Sequence, residues 1–233
     1  MAKSKYVSNK NETIPLFKNP FLEYFSHIHP ITPVIVYVPI LSACAYFGFQ
    51  RVPVAYGIGA FLFGILLWTL TEYIIHRWVF HYEPKTETGK KIHFLVHGIH
   101  HDYPRDATRL VMPLLVSAPL ATFFFYSFML AFGDYYLLVF SGFVVGYVSY
   151  DSIHYATHHI NLKGKFGAFL RSYHLRHHYE DDHTAYGVST PLWDIIFRSL
   201  PSYMLDLKKV PDIDVPKKEK EEQVNSEDST VKA

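Results

Sequence analysis

The chain has 233 residues, 22 Lys plus Arg against 21 Asp plus Glu, and a formal net charge of +1, a balance that excludes the basic excess on which nucleic-acid binding depends. Its single cysteine, Cys44, excludes a disulfide framework and a thiolate-rich zinc site. A mean hydropathy of +0.05 beside 18% charged residues implies that apolar and charged residues are segregated into blocks. Histidine, with 15 copies, is the outlier.

Residues 1–30 are largely polar, with Lys3, Lys5, Lys10 and Lys18, and lack the pattern of a cleavable signal. Phe21–Pro30 is apolar but too short to cross a bilayer, which suits an interfacial helix. Four runs free of Asp, Glu, Lys and Arg follow: Ile31–Gln50, Val52–Thr71, Leu110–Gly133 and Tyr135–Tyr150. A bilayer core about 30 Å thick needs roughly 20 apolar residues per helix. The first three runs meet that length, and the shorter fourth does so if it ends at the interface. Tyr73, Trp78, Tyr82, Tyr135 and Tyr136 lie near run ends, where aromatic belts form. A soluble bundle with buried core helices is the alternative, but soluble helices rarely stay uncharged for so long.

The expected spans are therefore about 31–50, 52–75, 110–133 and 135–153. The links at Arg51 and at Gly133-Asp134-Tyr135 are short, so the spans form two hairpins. Every basic residue except Arg51 then falls on one side, and basic residues mark the cytoplasmic face. Asn11-Glu12-Thr13 matches a glycosylation sequon that this topology leaves in the cytosol, unmodified. Residues 208–233 are rich in Lys, Glu, Asp and Ser and read as a disordered tail, which leaves 31–207 as the membrane domain. Two glycine groups lie inside spans: Gly57 and Gly59 with Gly64, and Gly142 with Gly146. Neither follows a strand as a nucleotide loop would, so both are read as helix-packing features.

Histidines cluster on the expected cytoplasmic side. His76 and His81 follow the second span, and His97, His100 and His101 precede the third. His154 and His158 close the fourth span, and His174, His177 and His178 lie beyond it. Positions i, i+3 and i+4 share a helix face, so each His-x-x-His-His box converges, as does the pair His154 and His158. His76 and His81 are five apart, roughly 140° around an ideal helix, and share a site only if the helix ends or widens between them. Ten imidazoles are too many for one ion and suit two ions of iron, zinc, copper or nickel rather than calcium or magnesium. Glu72 precedes His76 by four residues and Asp151 precedes His154 by three. Each either holds a ligand ring through its second nitrogen or is a helix-end charge. His93, His159 and His183 flank the clusters and are read as non-ligands, and His27 and His29 as interfacial. The expected fold is an all-α integral membrane protein, four transmembrane helices in two hairpins capped by a cytosolic helical His-rich dimetal domain.

A dimetal centre at the ends of membrane helices is within reach of a lipid chain. Attack on an unactivated C–H bond needs a redox metal and dioxygen, whereas zinc would support hydrolysis, and the residues alone leave that fork open. The stretches Glu72–His81, His93–His101, Arg109–Pro113, Gly146–Tyr155, Tyr173–His178, Tyr186–Thr190 and Leu192–Asp194 together resemble the membrane-bound fatty acid hydroxylase and sterol desaturase superfamily, most closely its fatty acid 2-hydroxylase branch. The resemblance covers roughly residues 20–200. It implies a monooxygenase that hydroxylates carbon 2 of a fatty acyl chain, free or in a ceramide or sphingolipid. It also implies that the ten histidines hold two metal ions, non-haem iron for activity, with zinc able to bind in its place.

Fungal and animal members often carry an N-terminal cytochrome b5 domain, for which about 30 polar residues stand here. The two electrons per turnover are then expected from a separate donor such as cytochrome b5 or a ferredoxin. The expected partners are a lipid acyl substrate, that donor and membrane lipids. The expected location is the endoplasmic reticulum in a eukaryote or the inner membrane in a bacterium. Two other readings are a sterol or carotenoid hydroxylase or desaturase of the same superfamily and a His-rich metal transporter. Transport is disfavoured because the spans lack histidine until their ends, whereas transporters set such groups near mid-membrane.

Overall fold

The computed structural model describes residues 6–201. The expected tail at 208–233 and the last residues of the expected membrane domain lie outside the described residues. Among the described residues the regular structure is entirely helical, without a strand. A short α1 (Pro20–Tyr24), capped by the Asn19 side chain, precedes α2 (Thr32–Phe49) and α3 (Val54–Ile74), and α3 continues as a π-helical turn over Ile75–Phe80. Next come α4 (Glu87–His93), a second π turn over Phe94–Gly98, and α5 (Ile99–Asp102). The chain then forms α6 (Leu114–Phe132), α7 (Tyr136–His159), α8 (Gly164–Tyr179) and α9 (Leu192–Ile196).

Three helical stretches are long and apolar enough to cross a membrane: Thr32–Phe49, Val54–Phe80 and Leu114–His159. The chain is an integral membrane protein. The third stretch is a hairpin of α6 and α7, because Gly133, in the left-handed region at φ +51°, ends α6. Rings of Phe125 on Phe140 and of Phe124 on Phe143 then pack the two helices side by side.

Two expected boundaries move, each for a packing reason. The third run becomes helical at Leu114 rather than at 110. Leu110 and Val111 turn inward as buried loop residues, so their lack of charge reflects contact with protein rather than lipid. The fourth helix runs six residues past 153 to His159. It is the central helix of the bundle, buried along Leu137–Val144, while α2, α3 and α6 pack round it and present their outer faces, such as Ile35, Leu62 and Phe123, to lipid.

Residue pairing sets the helix directions. Tyr37 meets Tyr147, and Ser141 Oγ donates to the Leu41 carbonyl, so α2 runs antiparallel to α7. Gly57 meets Leu138, Gly64 meets Val139 and Gly146 meets Trp68, so α3 and α7 run parallel and release their histidines at the same end. They cross at backbone contact. A Cβ on Gly142 would lie 1.9 Å from the Phe61 carbonyl oxygen, and one on Gly64 would lie 2.1 Å from that of Val139. Such small-residue crossings let membrane helices approach closely. Gly59 differs from its neighbours: nothing lies within 4 Å of the place a Cβ would take, so it is not a packing glycine.

The polar N-terminus is strapped to the loop after α5. Val7 N–H and Ser8 N–H donate to the Asp102 carbonyl, and Tyr179 donates to Asn9. The buried Arg109 guanidinium reaches the Ile14 carbonyl, Asp106, Glu23 and Ser26. This holds the segment before Leu110 in place. The close crossing yields a paired test. Gly142→Ala is expected to lower the thermal midpoint of the detergent-solubilised protein, an overpacking cost of about 1–3 kcal/mol. Gly59→Ala should leave the midpoint unchanged or raised, through up to about 1 kcal/mol of helix propensity.

Candidate metal centre

Each histidine cluster lies in the last turns of its helix. His154 and His158 close α7, and His174, His177 and His178 close α8. His97, His100 and His101 span the second π turn and α5. At the end of α3 the backbone N–H of His81 donates to the carbonyl of His76 at 3.2 Å, an i to i+5 bond. The π turn therefore resolves the five-residue spacing. It stacks His76 and His81 one wide turn apart on one face, with ring centroids separated by 5.0 Å. Bulges of this kind recur at functional sites.

The structure brings all ten histidines together in two groups of five: His76, His81, His97, His101 and His177, and His100, His154, His158, His174 and His178. Within each group the candidate ligand nitrogens lie within 4.8 Å of one another. The boxes do not each converge on one point. His97 and His101 enter the first group while His100 enters the second. In the other box His174 and His178 enter the second group while His177 enters the first. The two boxes are thus interleaved, with His101 and His178 ring centroids 4.3 Å apart where the groups meet. His27, His29, His93, His159 and His183 join neither group.

The ring nitrogens have the chemistry of a cation site. Nδ1–H of His76 donates to the Tyr186 carbonyl at 2.5 Å, that of His177 to Thr184 at 2.7 Å and that of His154 to Leu110 at 3.0 Å. In a neutral imidazole with Nδ1–H, Nε2 is a bare lone pair. Yet Nε2 of His81 stands 3.3 Å from that of His76 and 3.0 Å from that of His177, and it can donate to one of them at most. The pairs His101–His97, His154–His100, His158–His174 and His178–His174 repeat the contact at 3.0, 2.8, 2.9 and 3.1 Å. A shared cation turns this repulsion into ligation. With metal–nitrogen bonds of about 2.1 Å, ligands at right angles sit about 3.0 Å apart and tetrahedral ones about 3.4 Å. The spacings therefore suit five nitrogens round an ion of coordination number above four. Burial first, then neighbouring imidazoles, hold His81 down to about 2 and His97, His100, His177 and His178 well below the usual histidine range. The rings are accordingly neutral and competent as ligands at pH 7.

The two carboxylates singled out beside His76 and His154 do not hold those rings. Buried Glu72 accepts the N–H groups of Val188 and Ser189 at 2.7 and 2.9 Å, and the Ser189 hydroxyl. Buried Asp194 accepts those of Tyr186 and Gly187 at 3.0 and 2.7 Å, and the Ser199 hydroxyl at 2.7 Å. The loop between them turns at Ala185, a left-handed residue at φ +58°. On either side of that turn the Thr184 and Tyr186 carbonyls meet His177 and His76. Glu72 therefore acts on its neighbouring ring through a peptide loop. Asp151 is buried beside the Tyr147 hydroxyl and the Met112 amide, and neither of its oxygens closes a full hydrogen bond. The Leu110 carbonyl takes the Nδ1–H of His154, the place that one of the two readings of Asp151 would have given its carboxylate.

A cavity of about 260 Å³ opens beside His81, His97, His101 and His178. Its lining also includes apolar Phe80 and Phe94 and acidic Asp102 and Asp182. His93 Nε2–H donates to the Phe80 carbonyl at 2.5 Å, and the Phe80 ring stacks on His97. His93 thus braces the end of the π turn.

Comparison with known proteins follows this geometry. A family model described as fatty acid hydroxylase matches residues 61–199. A ceramide very long chain fatty acid hydroxylase of Schizosaccharomyces pombe is 35% identical over 78% of this chain and 54% of its own length. A dihydroceramide fatty acyl 2-hydroxylase of Arabidopsis thaliana is 35% identical over 76% of this chain and 73% of its own. A fatty acid 2-hydroxylase of Rattus norvegicus is 33% identical over 80% and 56%. The chain thus spans about half the length of the yeast and rat proteins. The solved structure of full-length scs7p, in which only the hydroxylase domain is visible, superposes with a TM-score of 0.75 at 31% identity, covering 81% of this chain and 72% of that one.

Loop tethering can be separated from ligation by metal analysis. Glu72→Gln is expected to weaken metal binding by the His76 group about 10–100-fold, the usual scale for lost ligand support, while affinity at the group built round His154 is unchanged from the parent protein. Unchanged affinity at the His76 group in that variant would remove the tether from the account.

Proposed function

Because the chain belongs to the fatty acid hydroxylase family, we propose that it is a dioxygen-dependent fatty acyl 2-hydroxylase whose ten histidines hold two metal ions. The single observation that carries this reading is the pair of five-imidazole groups at the ends of membrane-spanning helices, beside a cavity lined by apolar and acidic side chains as well as histidine. A redox-active pair such as non-haem iron would supply dioxygen activation and the oxidising strength to break a C–H bond, with zinc able to bind the same nitrogens.

The protein's own residues choose the carbon. At about 260 Å³ the cavity is below the usual range for a whole small molecule, so it admits only the head of a lipid and the first carbons of its chain. Asp102 and Asp182 suit the amide N–H and hydroxyl donors of a ceramide, and Phe80 and Phe94 suit methylenes. Carbon 2, adjacent to the polar head, then lies nearest His97 and His101. A ceramide-linked or free fatty acyl chain fits; the names of the yeast and plant relatives favour the ceramide form.

The remaining parts of the reading follow from charge and family. Four spans in two hairpins place the histidine face in the cytosol, on the side of the basic residues, of the endoplasmic reticulum in a eukaryote or the inner membrane in a bacterium. Electrons come from a donor of the cytochrome b5 or ferredoxin kind.

Lipid analysis of cells expressing the chain is expected to show 2-hydroxy acyl chains. His97→Ala, His100→Ala, His154→Ala and His177→Ala should each abolish the product while the protein stays in the membrane. Altered sterols or carotenoids without 2-hydroxy chains would instead favour the sterol or carotenoid branch. Full activity in two of the four variants would overturn the ligand set.

A further inference from the structure

Two short helices beside the metal centre carry apolar stripes that nothing in the protein covers. On α4 and its π turn the exposed residues are Ile92, Leu95 and Val96, at i, i+3 and i+4; the opposite face carries His93 and His97. On α9 they are Leu192, Ile195 and Ile196, with the same spacing. A stripe of that spacing normally faces a core. Here it faces outward: α9 is packed on its other side through buried Asp194, and α4 touches the protein through half-buried His93 while its polar residues Glu87, Lys90 and Lys91 stay exposed.

The depth of α9 is fixed by a membrane span. Trp193 Nε1–H donates to Thr69 Oγ1 at 3.0 Å, and Thr69 lies inside the Val54–Phe80 stretch. Phe197 stacks on Tyr73 and meets Trp78. The exposed face of α9 is thereby continuous with the lipid face of α3 at Leu66, Ile74 and Trp78. On the side of α4, the bond from His93 to the Phe80 carbonyl joins that helix to the same end of α3, next to exposed Val79 and Tyr82. Lys90 and Lys91, both exposed, immediately precede the stripe on α4; Lys90 pairs with Glu87 at 2.8 Å, and Lys91 is placed as the basic anchor of an interfacial helix is.

We propose that α4 and α9 lie in the bilayer interface as a collar round the end of α3, and that the Phe80–Phe94 edge of the His-lined cavity opens sideways onto lipid. A membrane lipid would slide its head and first carbons between the end of α3 and α4 without leaving the bilayer, while Asp102 and Asp182 mark the edge turned to water. The identity of the entering chain rests on the proposed function; the depth of the collar does not.

Spin labels on a Cys44→Ser background in lipid nanodiscs test the depth without any turnover. Labels at Ile92→Cys and Ile196→Cys are expected to relax more with oxygen than with an aqueous nickel chelate, like a label at lipid-facing Leu130→Cys. The exposed reference Lys163→Cys should show the reverse. Nickel accessibility at Ile92 and Ile196 equal to that at Lys163 would overturn the collar. A second variant tests the route: Ile92→Asp should raise KM for a bilayer-embedded substrate at least tenfold, with kcat and two bound ions retained. An unchanged KM would refute lateral entry. Lipid-buried labels on a chain that forms no 2-hydroxy product would instead count against the proposed function and leave the collar standing.

Discussion

Ten neutral imidazoles forced nitrogen to nitrogen, most of them buried, are the constraint on which the rest of the structure depends. Three of them have Nδ1–H committed to carbonyls of Tyr186, Thr184 and Leu110, so their remaining nitrogens cannot be satisfied by protons without charging a buried ring. Only a cation relieves the crowding, and a pair of divalent ions brings charge that neutral ligands do not offset. The compensation comes from the ends of helices. All four ligand clusters occupy C-terminal turns, where unpaired carbonyls give the helix a partial negative charge worth about 0.3–1 kcal/mol per cation. Buried Glu72 and Asp194, one peptide loop away, hold that loop through its amide N–H groups.

Bringing those ends together is the work of the membrane bundle. Because α3 and α7 run parallel and touch backbone to backbone at Gly64 and Gly142, their C-termini emerge at the same end of the bundle. Bulk at either glycine would spread the His76–His81 turn from the His154–His158 turn. The central position of α7 explains why its sequence looks like a weak membrane span. Its neighbours are helices rather than lipid, so length and residue choice follow packing.

Much of this was legible in the sequence because it rests on periodicity. Uncharged runs gave α2, α3, α6 and α7 to within a few residues, and the His-x-x-His-His spacing named two of the four clusters as shared faces. The family suggested by those motifs is the family that the comparisons find. Less was legible where backbone decides. The interleaving of the boxes is invisible to a helical wheel, since i, i+3 and i+4 look convergent until a second helix supplies a second centre. The His76–His81 spacing pointed to a widened helix but not to a π turn. The carboxylates of Glu72 and Asp151 drew attention because side chains have sequence signatures; the carbonyls that take the ring protons have none. A faint signal did exist, because Arg109–Pro113, Tyr186–Thr190 and Asp194 belonged to the family-like stretches before any role could be given them. Leu110–Pro113 was mistaken for membrane helix because burial in protein and burial in lipid leave the same apolar trace.

The crossed histidine boxes make the centre a two-key lock. Turning the helix of His174 by one residue would withdraw nitrogens from both groups at once, and so would turning that of His97, since each box contributes to both. The two groups share no histidine, yet neither can be repositioned without the other.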